Sequence, residues 1–341
     1  MSERMRKMRP MGIADILDET VELYKTSFVL LVGIAAVMYV PYALLDYFRL
    51  TRSMSVISMH NPRGPSSEDM FSFLGASFLA LGYLVLIAPI VTGALTYAIS
   101  ERYLDRRVTV VDSFRRVFSA SIFGQLLLAI VIKVTVLGVP MGMVVTALFF
   151  VGIAAATATK SAALVAIPIL LLVGLALGVG AVYLLLRLVL LEATIVVENR
   201  GIVYSLTRTW TRMPGNMLKC VALYLISGIA IGVVNLISSG PTQTIITTAM
   251  MRGASPPQWI MILHTTITTL VSMILAPVTS IVTILLYYDI RIRKEGFDLE
   301  LLASELDAKT AAWSAPALPQ EQPVAPPAPE PSPPDTESSP Q

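Results

Sequence analysis

The sequence predicts an all-α protein: a polytopic transmembrane helical bundle of six spans, with eight as the alternative, flanked by cytoplasmic amphipathic helices. Three observations predict it. Apolar runs at 27–48, 71–99, 117–158, 162–197, 217–238 and 259–288 each reach the ~20 residues a helix needs to cross a bilayer. The composition, 55% hydrophobic and 14% charged with a mean hydropathy of +0.72, falls far short of the about 25% charged residues usual in a soluble domain. Finally, the Lys and Arg residues collect in alternate gaps between the runs. Four gaps on one side hold 18 of them, and the other three hold five: Arg49, Arg52, Arg63, Lys160 and Arg252. Cytoplasmic loops carry the excess of positive charge, so both termini are expected in the cytoplasm.

Four segments follow: a cytoplasmic basic segment with an amphipathic helix at 1–26, the six-span domain at 27–290, a juxtamembrane segment at 291–312 and a tail at 313–341. The basic start would suit a signal peptide, but Asp15, Asp18, Glu19 and Glu22 stand where its apolar stretch should be, so no cleavage is expected. Over 12–28, Ile13, Ile16, Leu17, Val21, Tyr24 and Phe28 recur at spacings of three and four opposite those acids. An acidic polar face favours docking on the protein's own basic loops over anionic lipid. The pattern returns at 109–123, where Thr109 to Asp112 forms a capping box and Phe114, Val117, Phe118 and Ile122 share a face opposite Arg115 and Arg116. It returns again at 202–213, with Ile202, Leu206, Trp210 and Met213 opposite Arg208 and Arg212. These three stretches suggest a threefold repeat of an interfacial helix followed by a hairpin.

The 81 residues from 117 to 197 exceed what two crossings need. Two long helices are expected there, broken at Gly138, Pro140 and Gly142 and joined by a hairpin around Thr159, Lys160 and Ser161; four crossings would need a turn at 177–180. A short helix is expected at 297–306. Ten prolines between Pro316 and Pro340, with no basic residue, make a disordered tail.

Conventional chemistry has few places to reside. One cysteine, Cys220, excludes an internal disulfide and is expected as a buried thiol, and His60 and His264 alone cannot build a metal cluster. Phosphate loop, nucleophile elbow and zinc-protease helix are all absent from the sequence. Neither a catalytic, a cofactor-binding nor a metal-binding residue is assigned, and no cofactor is expected. The informative residues are ionisable groups in or beside the spans, which cost about 2.5–3.5 kcal/mol each at mid-depth and so require partners. Arg187 and Glu192, five residues apart, differ by roughly 140° around one helix and are expected to pair with other helices, Arg187 first with Asp289. Asp46 and Lys133 are expected to be satisfied at an interface. Pro41, Pro89, Pro140, Pro168 and Pro277 interrupt spans, as in the broken helices of transporters, although kinks without a site are the commoner outcome.

The segments IADILDETVELY (13–24), RLVLLEATIVVEN (187–199), YSLTRTW (204–210) and LLYYDIRIRKEGFDL (285–299) resemble the membrane domain of bacterial glycerophosphoryl diester phosphodiesterases and its stand-alone relatives. The resemblance spans most of 9–305. It implies a six-span protein of the bacterial cytoplasmic (inner) membrane and a polar framework of Arg187, Glu198, Asp289, Arg291 and Arg293, to which the charge analysis adds Glu192. In those enzymes cleavage belongs to a separate soluble barrel with metal-binding carboxylates and histidines. These 341 residues contain no such region, so the activity is not carried over. The expected role is non-enzymatic: structural, scaffolding or envelope maintenance, with the lipid bilayer and a cytoplasmic or membrane protein as partners and no nucleic acid. The alternative is a transporter or permease for a lipid-related or small solute.

Overall fold

Long apolar stretches with no polar partner for their backbone outside themselves must form helices, and the computed structural model is helical throughout. It describes residues 10–57, 67–157 and 160–296. These fall in one unit, Met1–Asp298; Leu299–Gln341 is a separate unit. The basic start, the expected helix at 297–306 and the Pro-rich tail lie outside the described residues.

Nine helices, and no strand, are found among the described residues: α1 (Ile13–Ile57), α2 (Ser67–Tyr103), α3 (Val110–Val117), α4 (Ala120–Thr157), α5 (Lys160–Leu188), α6 (Leu191–Glu198), α7 (Ile202–Arg212), α8 (Met217–Met251) and α9 (Gln258–Glu295). Five helices are long and apolar enough to cross a membrane, and six if α3 and α4, bent by 78° at their junction, count as one broken span. α1 packs between α2 and α9, while α4 pairs with α5 and α8 with α9. The core lies at the carboxyl end of α9, where Ile281, Ile284, Leu285, Leu286, Tyr287 and Ile290 are fully buried.

The amphipathic segment at the chain start is not a separate helix. It runs into the first long helix, and the boundary survives only as a kink at Ser27 (φ −118°, ψ 16°). Its buried stripe is Ile16, Thr20, Leu23 and Ser27, whereas Val21 and Phe28 of the expected apolar face are exposed. Tyr24 instead reaches α9, donating to the Ile274 carbonyl at 2.8 Å just before Pro277.

α3 begins with the capping box: the Thr109 hydroxyl accepts from the Asp112 amide and the Asp112 carboxylate accepts from the Thr109 amide, each at 3.2 Å. It stops at Val117 and the chain restarts at Ala120, so the expected face splits: Val117 and Ile122 are buried, Phe118 is exposed. α7 departs further. Its buried side is Ser205, Thr209 and Arg212; of the expected apolar face Met213, just past the helix end, is fully buried, Ile202 and Leu206 are half-buried and Trp210 is exposed. Small hydroxyls let α7 approach α6, where Thr209 and Thr194 hydroxyls lie 3.4 Å apart, and so carry Arg212 inward.

α4 continues through Gly138, Pro140 and Gly142 without a break, and α5 is helical across 177–180. The turn that four crossings would need is not formed. The break in this region comes later, at Val189–Leu190, where the expected fourth run divides into α5 and α6. Arg187 is therefore separated from Glu192 and Glu198 by this break, although 172–198 remains one candidate span.

α2 meets α3 and α4 closely at Gly93, where a Cβ would stand 2.5 Å from a Leu126 methyl and 3.1 Å from Val117. At Gly82 nothing lies within 4 Å. Gly93→Leu is expected to cost about 1–3 kcal/mol by overpacking, and Gly82→Ala to gain up to about 1 kcal/mol from helix propensity. Melting in detergent checks both; an unchanged Gly93→Leu melting point would contradict the close packing.

Candidate functional site

Two adjoining polar regions occupy the end of the bundle where α1 begins, α8 begins and α9 ends. The first is a clasp of ion pairs centred on Asp289. Its side chain is 0% exposed, so the charged form requires full compensation. It accepts from the Met11 amide at 2.7 Å, from Lys219 Nζ at 2.5 Å and from Arg293 Nε at 3.0 Å. Lys219 and Arg293 also donate to the Met11 carbonyl, at 2.5 and 2.8 Å. Three cationic or N–H donors from α8, α9 and the chain start thus converge on one carboxylate.

Beside it, Arg212 is buried at the end of α7, pairs with Glu198 and donates to both oxygens of Glu295, at 2.7 and 2.8 Å. The Tyr287 hydroxyl donates to Glu198 at 2.8 Å, and the Arg212 guanidinium lies 5.4 Å from the Tyr287 ring centroid. Burial alone would favour neutral Arg212, but its hydrogen bonds to Glu295 and Glu198 outweigh that and raise its pKa, so it stays charged. Glu295 also takes Arg208 at 3.0 Å and Arg291 at 3.6 Å. Lys294 closes the α7–α8 turn by donating to the Pro214 carbonyl at 2.9 Å.

The second region is a cavity of about 220 Å³ roughly two turns further into the bundle, lined by residues of α2, α4, α5, α6, α8 and α9 and by Val189 of the α5–α6 break. Lys133 of α4 and Glu192 of α6 meet there at 3.0 Å, each side chain 21% exposed. Hydroxyl groups make up much of the rest of the wall, and Tyr224 Oη lies 2.5 Å from Thr283 Oγ1.

Of the residues singled out from sequence, Glu198, Asp289, Arg291 and Arg293 come together in the clasp, Glu192 lies in the cavity, and Arg187 stands apart from both. The expected Arg187–Asp289 pair is not formed. Arg187 donates to the Tyr183 hydroxyl at 2.6 Å and the Trp210 carbonyl at 2.9 Å, with its guanidinium 4.7 Å from the Trp210 ring centroid. An aromatic and a carbonyl, with the side chain only part-buried, satisfy it without a carboxylate. Asp46 pairs with Arg49 at 2.7 Å on its own helix. Sequence reasoning missed Arg212, Lys219, Glu295 and Tyr287. Arg212 and Lys219 had been counted only as topology-determining charges; the hydroxyl stripe of Ser205 and Thr209 was the available signal that the face carrying Arg212 turns inward.

Each carboxylate of the clasp is held by one or more cations, which leaves none placed as a general base. Among the described residues, no group of three or more His, Cys, Asp or Glu side chains could hold a metal ion. The arrangement fixes helices and, at the cavity, offers one positive and one negative side chain with hydroxyls around them.

The chain belongs to a family described as a domain of unknown function (DUF7847), whose model matches residues 11–290. No curated protein and no solved structure matches it. The matched span takes in the whole cavity and the clasp as far as Asp289, and ends before Arg293 and Glu295.

Arg212→Met should cost about 3–5 kcal/mol, because Glu198 is left buried beside only a hydroxyl. A double-mutant cycle on Lys219→Ala and Asp289→Ala should give a coupling of about 0.5–3 kcal/mol, whereas Arg187→Ala and Asp289→Ala should add within about 0.5 kcal/mol. Unfolding in detergent measures all of these; coupling between Arg187 and Asp289 would contradict the assigned partners.

Proposed function

We propose that this chain is a multi-pass protein of the bacterial cytoplasmic membrane, with six spans and both termini in the cytoplasm, serving a non-enzymatic structural, scaffolding or envelope-maintenance role. The observation that carries the reading is the clasp. Its buried charges are committed to one another and to the backbone of the chain start, which is the use of charge expected in a framework. The sixth crossing is the bent α3–α4 pair. The orientation rests on the basic gaps: clasp residues Arg208, Arg212, Lys219, Arg291 and Arg293 all belong to the positively charged side. The resemblance to the membrane domain of glycerophosphoryl diester phosphodiesterases supports the same reading and contributes no catalytic activity to it. The bilayer is the first partner. The half-buried Ile202 and Leu206 and the exposed Trp210 of α7 suit the interface or a second membrane protein.

A second reading, a permease for a lipid-related or small solute, is favoured by the polar cavity and by the break at Val189–Leu190 beside it. Flux separates the two. Proteoliposomes holding radiolabelled phosphoethanolamine should leak no faster than protein-free vesicles; faster efflux would overturn the scaffold in favour of the permease.

Single cysteines introduced into a Cys220→Ala background test the topology. Positions near 60, 160 and 252 should react with an impermeant maleimide from the outer face, and positions near 108, 205 and 310 only after the membrane is opened. Near 205 the exposed Val203 is the position to use, and its labelling in intact cells would invert or break the map.

A further inference from the structure

The Lys133–Glu192 pair differs in kind from the clasp. Exposure alone does not separate them, since the clasp ranges from Asp289 at 0% and Arg212 at 3% to Glu295 at 20% and Arg293 at 42%; the difference is that Lys133 and Glu192 stand in a cavity wall. Lys133 and Glu192 each keep 21% of their side chains exposed, and what they face is the cavity. The rest of the wall is unusually polar for a bundle interior: Thr92 and Thr96 from α2, Tyr224 from α8, and Thr279, Ser280 and Thr283 from α9. Thr92 donates to the Ala88 carbonyl and Thr283 to the Thr279 carbonyl at 2.8 Å, which makes Tyr224 the donor to Thr283. These three therefore face the cavity as acceptors, while a hydroxyl such as Thr96, Thr279 or Ser280 can also donate.

Position adds to composition. Thr283 lies six residues before Asp289 on α9, about 9 Å along the helix, so the cavity lies just inside the clasp. On the membrane reading above, on which this inference rests, that is head-group depth or slightly deeper. The break at Val189–Leu190 forms part of the wall, with Glu192 and Ala193 in the first turn of α6. Interrupted helices that expose irregular backbone at depth are tolerated where they line a cavity.

The size sets the class of occupant. About 220 Å³ is below the about 300–1,000 Å³ of pockets for drug-sized ligands. The charges set its chemistry: a simple anion attracted by Lys133 meets Glu192 beside it, and a simple cation meets the reverse. A group carrying both signs a few ångströms apart satisfies both side chains and replaces their mutual contact.

We propose that this cavity binds a small zwitterionic group, its anion at Lys133 and its ammonium at Glu192, of the kind carried by an aminophospholipid head group or by free phosphoethanolamine. Lys133 selects the phosphate, Glu192 selects the amine, the Thr96, Thr279 and Ser280 hydroxyls donate to phosphate oxygens, and the Thr92, Thr283 and Tyr224 oxygens accept from the ammonium. Nothing in this requires transport, so binding without flux leaves the scaffold reading intact.

The test is equilibrium binding to the full chain in dodecyl maltoside, an uncharged detergent. Short-chain dihexanoyl phosphatidylethanolamine should bind at least about ten-fold tighter than dihexanoyl phosphatidylglycerol, which has the phosphate and lacks the amine, as one charge-assisted hydrogen bond provides. Glu192→Gln should bring that ratio close to one while keeping the phosphatidylglycerol affinity, and Lys133→Met should lose both lipids. Free phosphoethanolamine identifies the source: affinity equal to that of the short-chain lipid points to a soluble zwitterion, and affinity about ten-fold weaker points to the lipid. Because Lys133→Met leaves Glu192 without its partner and can fail to fold, the deciding variant is Glu192→Gln, whose melting is followed alongside. Wild-type protein that binds neither lipid or does not discriminate between them, or a ratio that Glu192→Gln leaves unchanged, overturns the proposal.

Discussion

Asp289 is the constraint on which the clasp end depends. A carboxylate with no exposed surface is tolerated only if the chain brings enough donors to it, because desolvation of an ion costs several kcal/mol even after relaxation. Its own helix supplies Arg293 one turn on, which is a local solution. The other two donors are not local: Lys219 is 70 residues away and the Met11 amide 278 residues away. Satisfying Asp289 therefore fixes where α8 starts and where α1 enters, and both flank the deepest part of the core, the Ile281–Ile290 stretch of α9. The Met11 carbonyl, accepting from the same two cations, makes the chain start a participant in the core.

The neighbouring Arg212 cluster depends on a different feature, the reversal that follows the break at Val189–Leu190. The chain continues past this break in one candidate span, Leu172–Glu198, and it is at the end of α6 that a left-handed Asn199 (φ 48°) hands it to α7 through Gly201. Asparagine tolerates that conformation better than most residues, so a short reversal fits there. The reversal sets Glu198 and Arg212, 14 residues apart, against each other and both against Tyr287. Hydroxyls at Ser205 and Thr209 are small enough to let α7 sit close to α6, and Arg212 follows them inward.

Element existence was legible because it follows from long apolar runs: every run predicted from sequence is occupied by a long helix, and the capping box at Thr109 forms as its residue types require. The site was legible only in part. Glu198, Asp289, Arg291 and Arg293 come together, yet their partners could not be deduced, because pairing depends on which helices adjoin and on where one of them breaks. Arg187 shows the limit most clearly. Treating 162–197 as one helix made its depth and its need for a carboxylate look compelling. Once α7 folds back beside α5, the Trp210 carbonyl and ring supply what was missing. The amphipathic stretches failed for a related reason. A hydrophobic stripe does not by itself mark the buried side: in α7 the small hydroxyls of Ser205 and Thr209 are buried while Ile202 and Leu206 are only half-buried and Trp210 is exposed.

The same reasoning separates the two groups of buried charge. In the clasp every carboxylate is surrounded by donors whose positions are set by the backbone around them, so exchanging a partner would require helices to move. At the cavity, Lys133 ends a long flexible side chain from α4 and Glu192 sits in the first turn of α6, and the space between them and the hydroxyls of α2, α8 and α9 is not filled by side chains among the described residues. Larger apolar residues at Thr92, Thr96, Ser280 or Thr283 would close that space, but they would leave Lys133 and Glu192 desolvated with only each other as partners. A bundle that commits the charges of the clasp to several partners each, and leaves one pair facing a cavity about two turns away, uses ionic groups in two ways. The clasp holds the helices, and the open pair is free to change partners without disturbing them.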